Sequence, residues 1–200
     1  MFDPTRESFE LMKEISKTVE TWHCNHHFLL DIAEQEYKRK PVHYVEIGCY
    51  NGASSCLMLQ RPNTKVVAID LGMIPEEIVT KNIDSHIKEH AEFTYLIGNS
   101  QDQKTIKAVI NKLRKIDILF IDGSHLTEDV IKDFNAYEKY VRVGGFVVFD
   151  DYKDIAYGVG LAVTYLFRDN DKYKCIGSIS NKFDPAGDEY GNCFVARKLK

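Results

Sequence analysis

From Val42 onward, short apolar runs alternate with longer stretches in which apolar residues recur every three or four positions. The runs Val42 to Ile47, Lys65 to Ile69, Phe93 to Ile97, Ile116 to Ile121 and Phe146 to Phe149 predict strands. The stretches 53–60, 76–90, 102–114 and 126–141 predict helices; in the last, Val130, Phe134, Tyr137 and Val141 share one face. Strands this apolar, each followed by a helix, imply a parallel sheet covered on both faces. Ahead of them, Phe9, Met12, Ile15, Val19 and Trp22 recur at helical spacing, and Phe28, Leu29, Ile32 and Ala33 form a second helical stripe that closes at Lys38-Arg39-Lys40-Pro41. A further helix is predicted over 155–168. Two β-rich runs, Tyr173–Ile179 and Cys193–Arg197, then flank a polar loop with Pro185, Gly187 and Gly191, which suits a closing strand pair better than another βαβ unit. The predicted fold class is α/β: a doubly wound, mostly parallel sheet with an antiparallel closing strand and N-terminal helices. Residues 1–200 read as a single domain, with 1–40 as a helical N-terminal extension.

Composition narrows the setting. Hydrophobic residues at 44% and charged residues at 28% are ordinary for a globular domain, which disfavours disorder. No apolar run approaches the roughly 20 residues of a membrane helix, and the mixed charges of Met1 to Glu7 do not suit a secretory signal. A formal charge of −4 gives no electrostatic reason to expect nucleic acid or an anionic membrane as partner. The five cysteines are odd in number and include no C-x-x-C pair, so reduced thiols in a cytoplasmic protein are the default expectation.

In a doubly wound sheet, ligands bind at the carboxyl ends of the strands. The first predicted strand ends in Glu46-Ile47-Gly48-Cys49-Tyr50-Asn51-Gly52-Ala53-Ser54-Ser55, where two glycines allow a sharp turn and close approach of a ligand. The spacing G-x-x-x-G is not the dinucleotide fingerprint. Amides near Ser54 and Ser55 could hold a carboxylate such as that of a methionine moiety; equally, any βα turn favours glycine. The second strand ends at Asp70, placed to accept hydrogen bonds from ribose hydroxyls or to cap the turn before Gly72. The third ends in Gly98-Asn99-Ser100-Gln101-Asp102, good residues for starting a helix. The fourth and fifth end in Asp122-Gly123-Ser124-His125 and Asp150-Asp151-Tyr152. Three carboxylates at adjacent strand ends repel one another unless a cation or proton compensates them. Mg²⁺ or Mn²⁺ suits such an oxygen site, although one Asp could simply cap a helix while another faces solvent.

The run from Tyr44 to Tyr152 resembles the class I S-adenosylmethionine-dependent methyltransferases, in particular the metal-dependent O-methyltransferases. Val45-Glu46-Ile47-Gly48-x3-Gly52 is similar to their first motif and Ala68-Ile69-Asp70 to their second. The Gly98 to Asp102 segment resembles the one lining the adenine in catechol O-methyltransferase. The segments Ile121 to His125 and Gly144 to Tyr152 look like the macrocin and sugar O-methyltransferase branch, because catechol O-methyltransferase has Asn where this chain has Asp151. The resemblance implies a Rossmann-like fold, S-adenosylmethionine held by Glu46, Gly48, Asn51, Gly52, Ser54, Ser55, Asp70, Ser100, Gln101 and Asp122, and a divalent metal on Asp122, Asp150 and Asp151. The acceptor would be a hydroxyl of a small molecule, with a sugar or sugar-containing metabolite in keeping with that branch. His125 stands where catechol O-methyltransferase carries its catalytic lysine. It would serve as the base, or else as a solvated residue of a helix start.

Trp22-His23-Cys24-Asn25-His26-His27 looks like a metal cluster, with His23 and His27 four apart. No Glu accompanies them and no second Cys/His pair lies at zinc spacing, so exposed helix histidines are expected. The charged stretch Lys81 to Glu92 reads as a solvated helix face. Two other functions fit the same fold class: an NAD-dependent oxidoreductase, opposed by the glycine spacing and the aspartate pair, and a non-catalytic cofactor-binding domain, opposed by the intact Asp122/His125/Asp150/Asp151 set. The polar loop 181–192 and the N-terminal helices are expected to shape the acceptor pocket. Those helices would either cover the domain or pair with a second copy in a homo-oligomer.

Overall fold

The computed structural model describes residues 3–21, 25–38, 40–154, 156–179, 183 and 192–200. Seven strands form one sheet: β1 Val42–Ile47, β2 Thr64–Asp70, β3 Glu92–Ile97, β4 Ile116–Ile121, β5 Val141–Phe149, β6 Tyr173–Ile179 and β7 Cys193–Lys198. Their order is β3-β2-β1-β4-β5-β7-β6. The first five run parallel, and β7 lies antiparallel between β5 and β6. This is the expected doubly wound class with its antiparallel closing strand. The chain reverses its winding between β1 and β4, the place where such folds open a crevice.

Side-chain alternation divides the core in two. Val42 and Tyr44 of β1 with Ile118 and Phe120 of β4 face one layer; Val45 and Ile47 with Ile116, Leu119 and Ile121 face the other. Helices α1 Arg6–Ser16, α2 Phe28–Tyr37, α3 Ala53–Met58 and α4 Glu76–Asp84 cover the first face. Helices α5 Gln103–Leu113, α6 Thr127–Tyr137 and α7 Val159–Phe167 cover the second. The apolar faces of the N-terminal helices are spent inside the chain, since Met12, Ile15, Phe28, Leu29 and Ile32 are all buried in the first layer.

Several boundaries differ from expectation for local reasons. Helix α1 stops at Ser16 rather than running to Trp22, although Val19 still reaches the core through a turn in which its N–H donates to Ile15. Trp22 lies outside the described residues. Helix α4 ends at Asp84, so the charged stretch to Glu92 is a short helix end and a connection, not one helix face. Strand β5 begins at Val141 instead of Phe146, and Gly144 at φ 85° accompanies the irregular pairing between Ile116 and Ile118 of β4. Pro185, Gly187, Gly191 and most of the 181–192 loop lie outside the described residues. Phe183, which is described, packs on Phe9 and His27.

Candidate active site

Register assembles the site. Ile47 pairs with Ile121, and Ile121 with Phe149, so the next residues, Gly48, Asp122 and Asp150, emerge side by side. Backbone bonds continue the ladder one step: Asp122 N donates to Ile47 O at 2.8 Å and Asp150 N to Ile121 O at 3.1 Å. Gly48 is obligatory here for a reason of packing. It sits at φ 85°, and a Cβ on it would stand 2.0 Å from the Asp122 carbonyl oxygen. These ends open into a cleft of about 920 Å³, within the usual range for small-molecule sites.

The glycine loop rests on a buried polar network. Glu46 is 1% exposed, and its two carboxylate oxygens accept from the hydroxyls of Ser54 and Ser55 on α3. Burial pushes the Glu46 carboxyl up to about 7 despite those two bonds. Ser54 and Glu46 still line the cleft, whereas Ser55 is wholly buried beneath it. Asp70 organises both of its neighbouring turns. One oxygen accepts from Cys49 N and Tyr50 N at 3.0 and 3.1 Å, the other from Gly72 N and Met73 N at 2.8 and 3.3 Å. Asn51 lines the cleft, and its amide lies 3.4 Å from Glu20 of the N-terminal segment.

On the far side, Ser100 and Gln101 line the cleft, with Gln101 N donating to Asn99 Oδ1 at 2.8 Å. Ser100 donates to Asp133 of α6 at 2.6 Å, and Tyr137 donates to the Ser100 carbonyl at 2.8 Å. Burial pushes the Asp133 carboxyl up to about 6.

The carboxylates converge as the strand order requires. One oxygen each of Asp122 and Asp151 and a ring nitrogen of His125 lie within 4.8 Å of one another. His125 Nε2 is 3.0 Å from Asp151, and its ring stacks on Tyr157 with centroids 4.0 Å apart. Asp151 takes φ 52°, a left-handed conformation that Asp tolerates better than most residues, which turns the chain out of β5. Asp150 lines the same cleft. Its oxygens bond His26 Nε2 at 2.8 Å and Cys193 Sγ at 2.9 Å.

The electrostatics follow from this crowding. Burial and the charges of Asp150, Asp151 and Glu46 push Asp122 well above the usual carboxylate range. Burial opposes ionisation of Asp150 as well, yet His26 and the Cys193 hydrogen bond hold its carboxyl below that range. The hydrogen bond to Asp151 raises the pKa of His125. A buried carboxylate driven toward its neutral form by like charges is the condition a divalent cation relieves, and the oxygen-rich donor set fits Mg²⁺ or Mn²⁺.

The expectation of exposed helix histidines fails for the two whose burial is described. His26 and His27 are 7% and 1% exposed, because the 3₁₀ turn Asn25–His27 plugs them into the sheet and α1. His23 and Cys24 lie outside the described residues. Beyond His26, the cleft also gains Asp133, Tyr157, Glu20 and Thr21, which sequence reasoning does not single out. Asp133 occupies a core-facing position of α6 three residues after Val130, and a polar residue on an apolar stripe was its available signal.

A switch-point cleft that joins a glycine turn, a second-strand Asp and a cluster of strand-end carboxylates has the layout of a small-ligand site in a doubly wound α/β protein. A family model described as "Methyltransferase domain" matches residues 45–152, just over half of the chain, and the chain belongs to that family. This sets it with the methyltransferases and not with the nicotinamide oxidoreductases. It is 37% identical over 137 residues to the uncharacterized protein R132 of Acanthamoeba polyphaga mimivirus, covering 67% of this chain and 62% of that one. It is 33% identical over 72 residues to demethylmacrocin O-methyltransferase of Streptomyces fradiae, covering 34% of this chain and 18% of the enzyme. The chain therefore spans less than two thirds of the length of either relative. Among solved structures, an O-methyltransferase from Bacillus cereus in complex with SAH superposes with TM-score 0.68 at 15% identity, over 98% of this chain and 92% of the other. MycE from the mycinamycin biosynthetic pathway, in complex with Mg and SAH, superposes with TM-score 0.60 at 18% identity, over 94% and 55%. At such identities the likeness is one of fold.

Proposed function

We propose that the protein is an S-adenosylmethionine-dependent, divalent-metal-assisted O-methyltransferase acting in the cytoplasm on a hydroxyl of a small molecule, a sugar or sugar-containing metabolite. One observation carries the reading: Asp122, Asp151 and His125 converge within 4.8 Å at the floor of the cleft that the glycine loop and Asp70 also line. The relatives named as O-methyltransferases support the reaction, MycE's complex with Mg supports the metal, and the likeness to CalS11, a TDP-rhamnose 3'-O-methyltransferase, supports a sugar acceptor. The free thiols Cys49, Cys56, Cys175 and Cys193 suit a reducing compartment. No helix among the described residues is long and apolar enough to cross a membrane.

When bound, S-adenosylmethionine supplies an electrophilic methyl group, and a divalent ion lowers the pKa of a coordinated hydroxyl. Gly48, Asn51, Gly52 and Asp70 shape the cofactor's seat, with Glu46, Ser54 and Ser55 as the buried network that keeps the loop rigid. Ser100 and Gln101 close its other end. Asp122, Asp150 and Asp151 would hold the ion. His125, oriented by Asp151 and by stacking on Tyr157, accepts the acceptor's hydroxyl proton. Much of the rate would come from holding nucleophile and methyl donor in line.

Calorimetric titration with S-adenosylmethionine tests the cofactor assignment; absence of binding at millimolar cofactor sinks it. Replacing Asp151 with Asn should weaken Mn²⁺ binding by at least about tenfold, a ligand contributing no less than its outer-sphere partners. Cofactor affinity in the absence of metal should stay within roughly twofold. Mn²⁺ binding at wild-type strength in D151N would remove Asp151 from the metal site.

A further inference from the structure

The Asp150 carboxylate is gripped from two directions by residues outside the 45–152 segment that the family model covers. His26, from the turn Asn25–His27, reaches Asp150 Oδ2 at 2.8 Å, and Cys193, the first residue of β7, donates to Oδ1 at 2.9 Å. The three side chains are buried, and the His26 ring stands edge-on to Phe120 of β4 with centroids 5.0 Å apart. A carboxylate bonded at one oxygen can still rotate about its Cβ–Cγ bond; bonded at both, its plane is set. Each oxygen keeps a lone pair for another partner. Asp151, by contrast, meets the ring of the half-exposed His125 across the cleft floor.

We propose that His26 is a positioning residue for the divalent-ion site: its Nε2–H fixes the plane of the Asp150 carboxylate, so that the turn at 25–27 is part of the site rather than a cover over it. The inference rests on the metal reading given above. Outer-sphere donors to metal-binding side chains commonly account for 10- to 100-fold in metal affinity, by holding the ligand where the ion needs it. The buried ring also explains how the N-terminal segment is registered on the sheet. Glu20 and Thr21, a few residues earlier, line the same cleft, so one segment contributes to its wall and to its floor.

The test compares His26→Phe, which keeps a ring against Phe120 and removes the donor, with His26→Gln, which restores a donor at a similar reach. Mn²⁺ binding is followed by electron paramagnetic resonance on the full chain, S-adenosylmethionine binding by calorimetry without metal, and folding by thermal unfolding. H26F should raise the Mn²⁺ Kd roughly 10- to 100-fold. H26Q should recover most of that loss, and both should bind the cofactor within about twofold of wild type. Wild-type Mn²⁺ affinity in H26F would overturn the positioning role and leave the metal site standing. Equal losses in H26F and H26Q would also overturn it, by assigning the effect to ring packing. Absence of Mn²⁺ binding in the wild-type protein would remove the metal reading and this inference together. If H26F fails to fold, H26Q alone decides: wild-type Mn²⁺ affinity supports the hydrogen bond, and a tenfold loss in a folded H26Q refutes it.

Discussion

Asp133 illustrates how a single buried carboxyl writes itself into stability. Its side chain is 2% exposed, accepts from Ser100 and lies on the same helix as Asp129 and Lys132. Burial raises its folded pKa to about 6, against 3.8 for a freely solvated aspartate. Between those values the folded state binds more protons than the unfolded one, so this group's contribution to stability is present at low pH and is lost as pH rises through about 6. The span corresponds to roughly 2–3 kcal/mol. Asp133→Asn, which mimics the protonated acid, should therefore gain that much stability relative to wild type between pH 4 and pH 7 in urea unfolding. A difference that does not change with pH would show that Asp133 ionises as if exposed. Among the strand-end residues, Asp70, Asp122, Asp150 and Asp151 were legible in the sequence because each stands at the end of an apolar run. His26 was not, since a histidine beside two others in a polar stretch carries no local sign of its partner 124 positions away.

At the scale of elements, the N-terminal helices are structural members of the first core layer. Leu29 of α2 is fully buried in the cluster that also holds Tyr44, Leu57 and Phe120. Leu29→Ala should cost about 2–5 kcal/mol, as for other large-to-small changes in a closed core. A shift in the denaturation midpoint worth less than about 1 kcal/mol would mean that α2 is peripheral. The strand and helix order was readable because apolar periods of two and of three to four are set within a few residues. Ends were less readable. Nothing local in the predicted helix 76–90 announces that it stops at Asp84, and the start of β5 at Val141 depends on pairing with β4.

For the whole molecule, the cleft joins strand ends, the N-terminal segment and α6, so occupying it should stabilise the fold as a unit. With S-adenosylmethionine at about 100 times its Kd, linkage adds about 2.7 kcal/mol. For a chain of this size that raises Tm by roughly 5–10 °C. An unchanged melting temperature under those conditions would count against the cleft as the cofactor's seat.

The amino-acid sequence by itself determined the order of elements, the doubly wound class and the chemistry available at each strand end. These depend on periodicity and turn residues that act over a handful of positions. Tertiary structure alone decided that Ser54 and Ser55 turn inward to Glu46, that Ser100 meets Asp133, and that His26 and Cys193 close on Asp150 from opposite ends of the chain. Those contacts exist because the sheet order brings distant segments to one edge, where a buried polar group must find its partner from whatever segment arrives there.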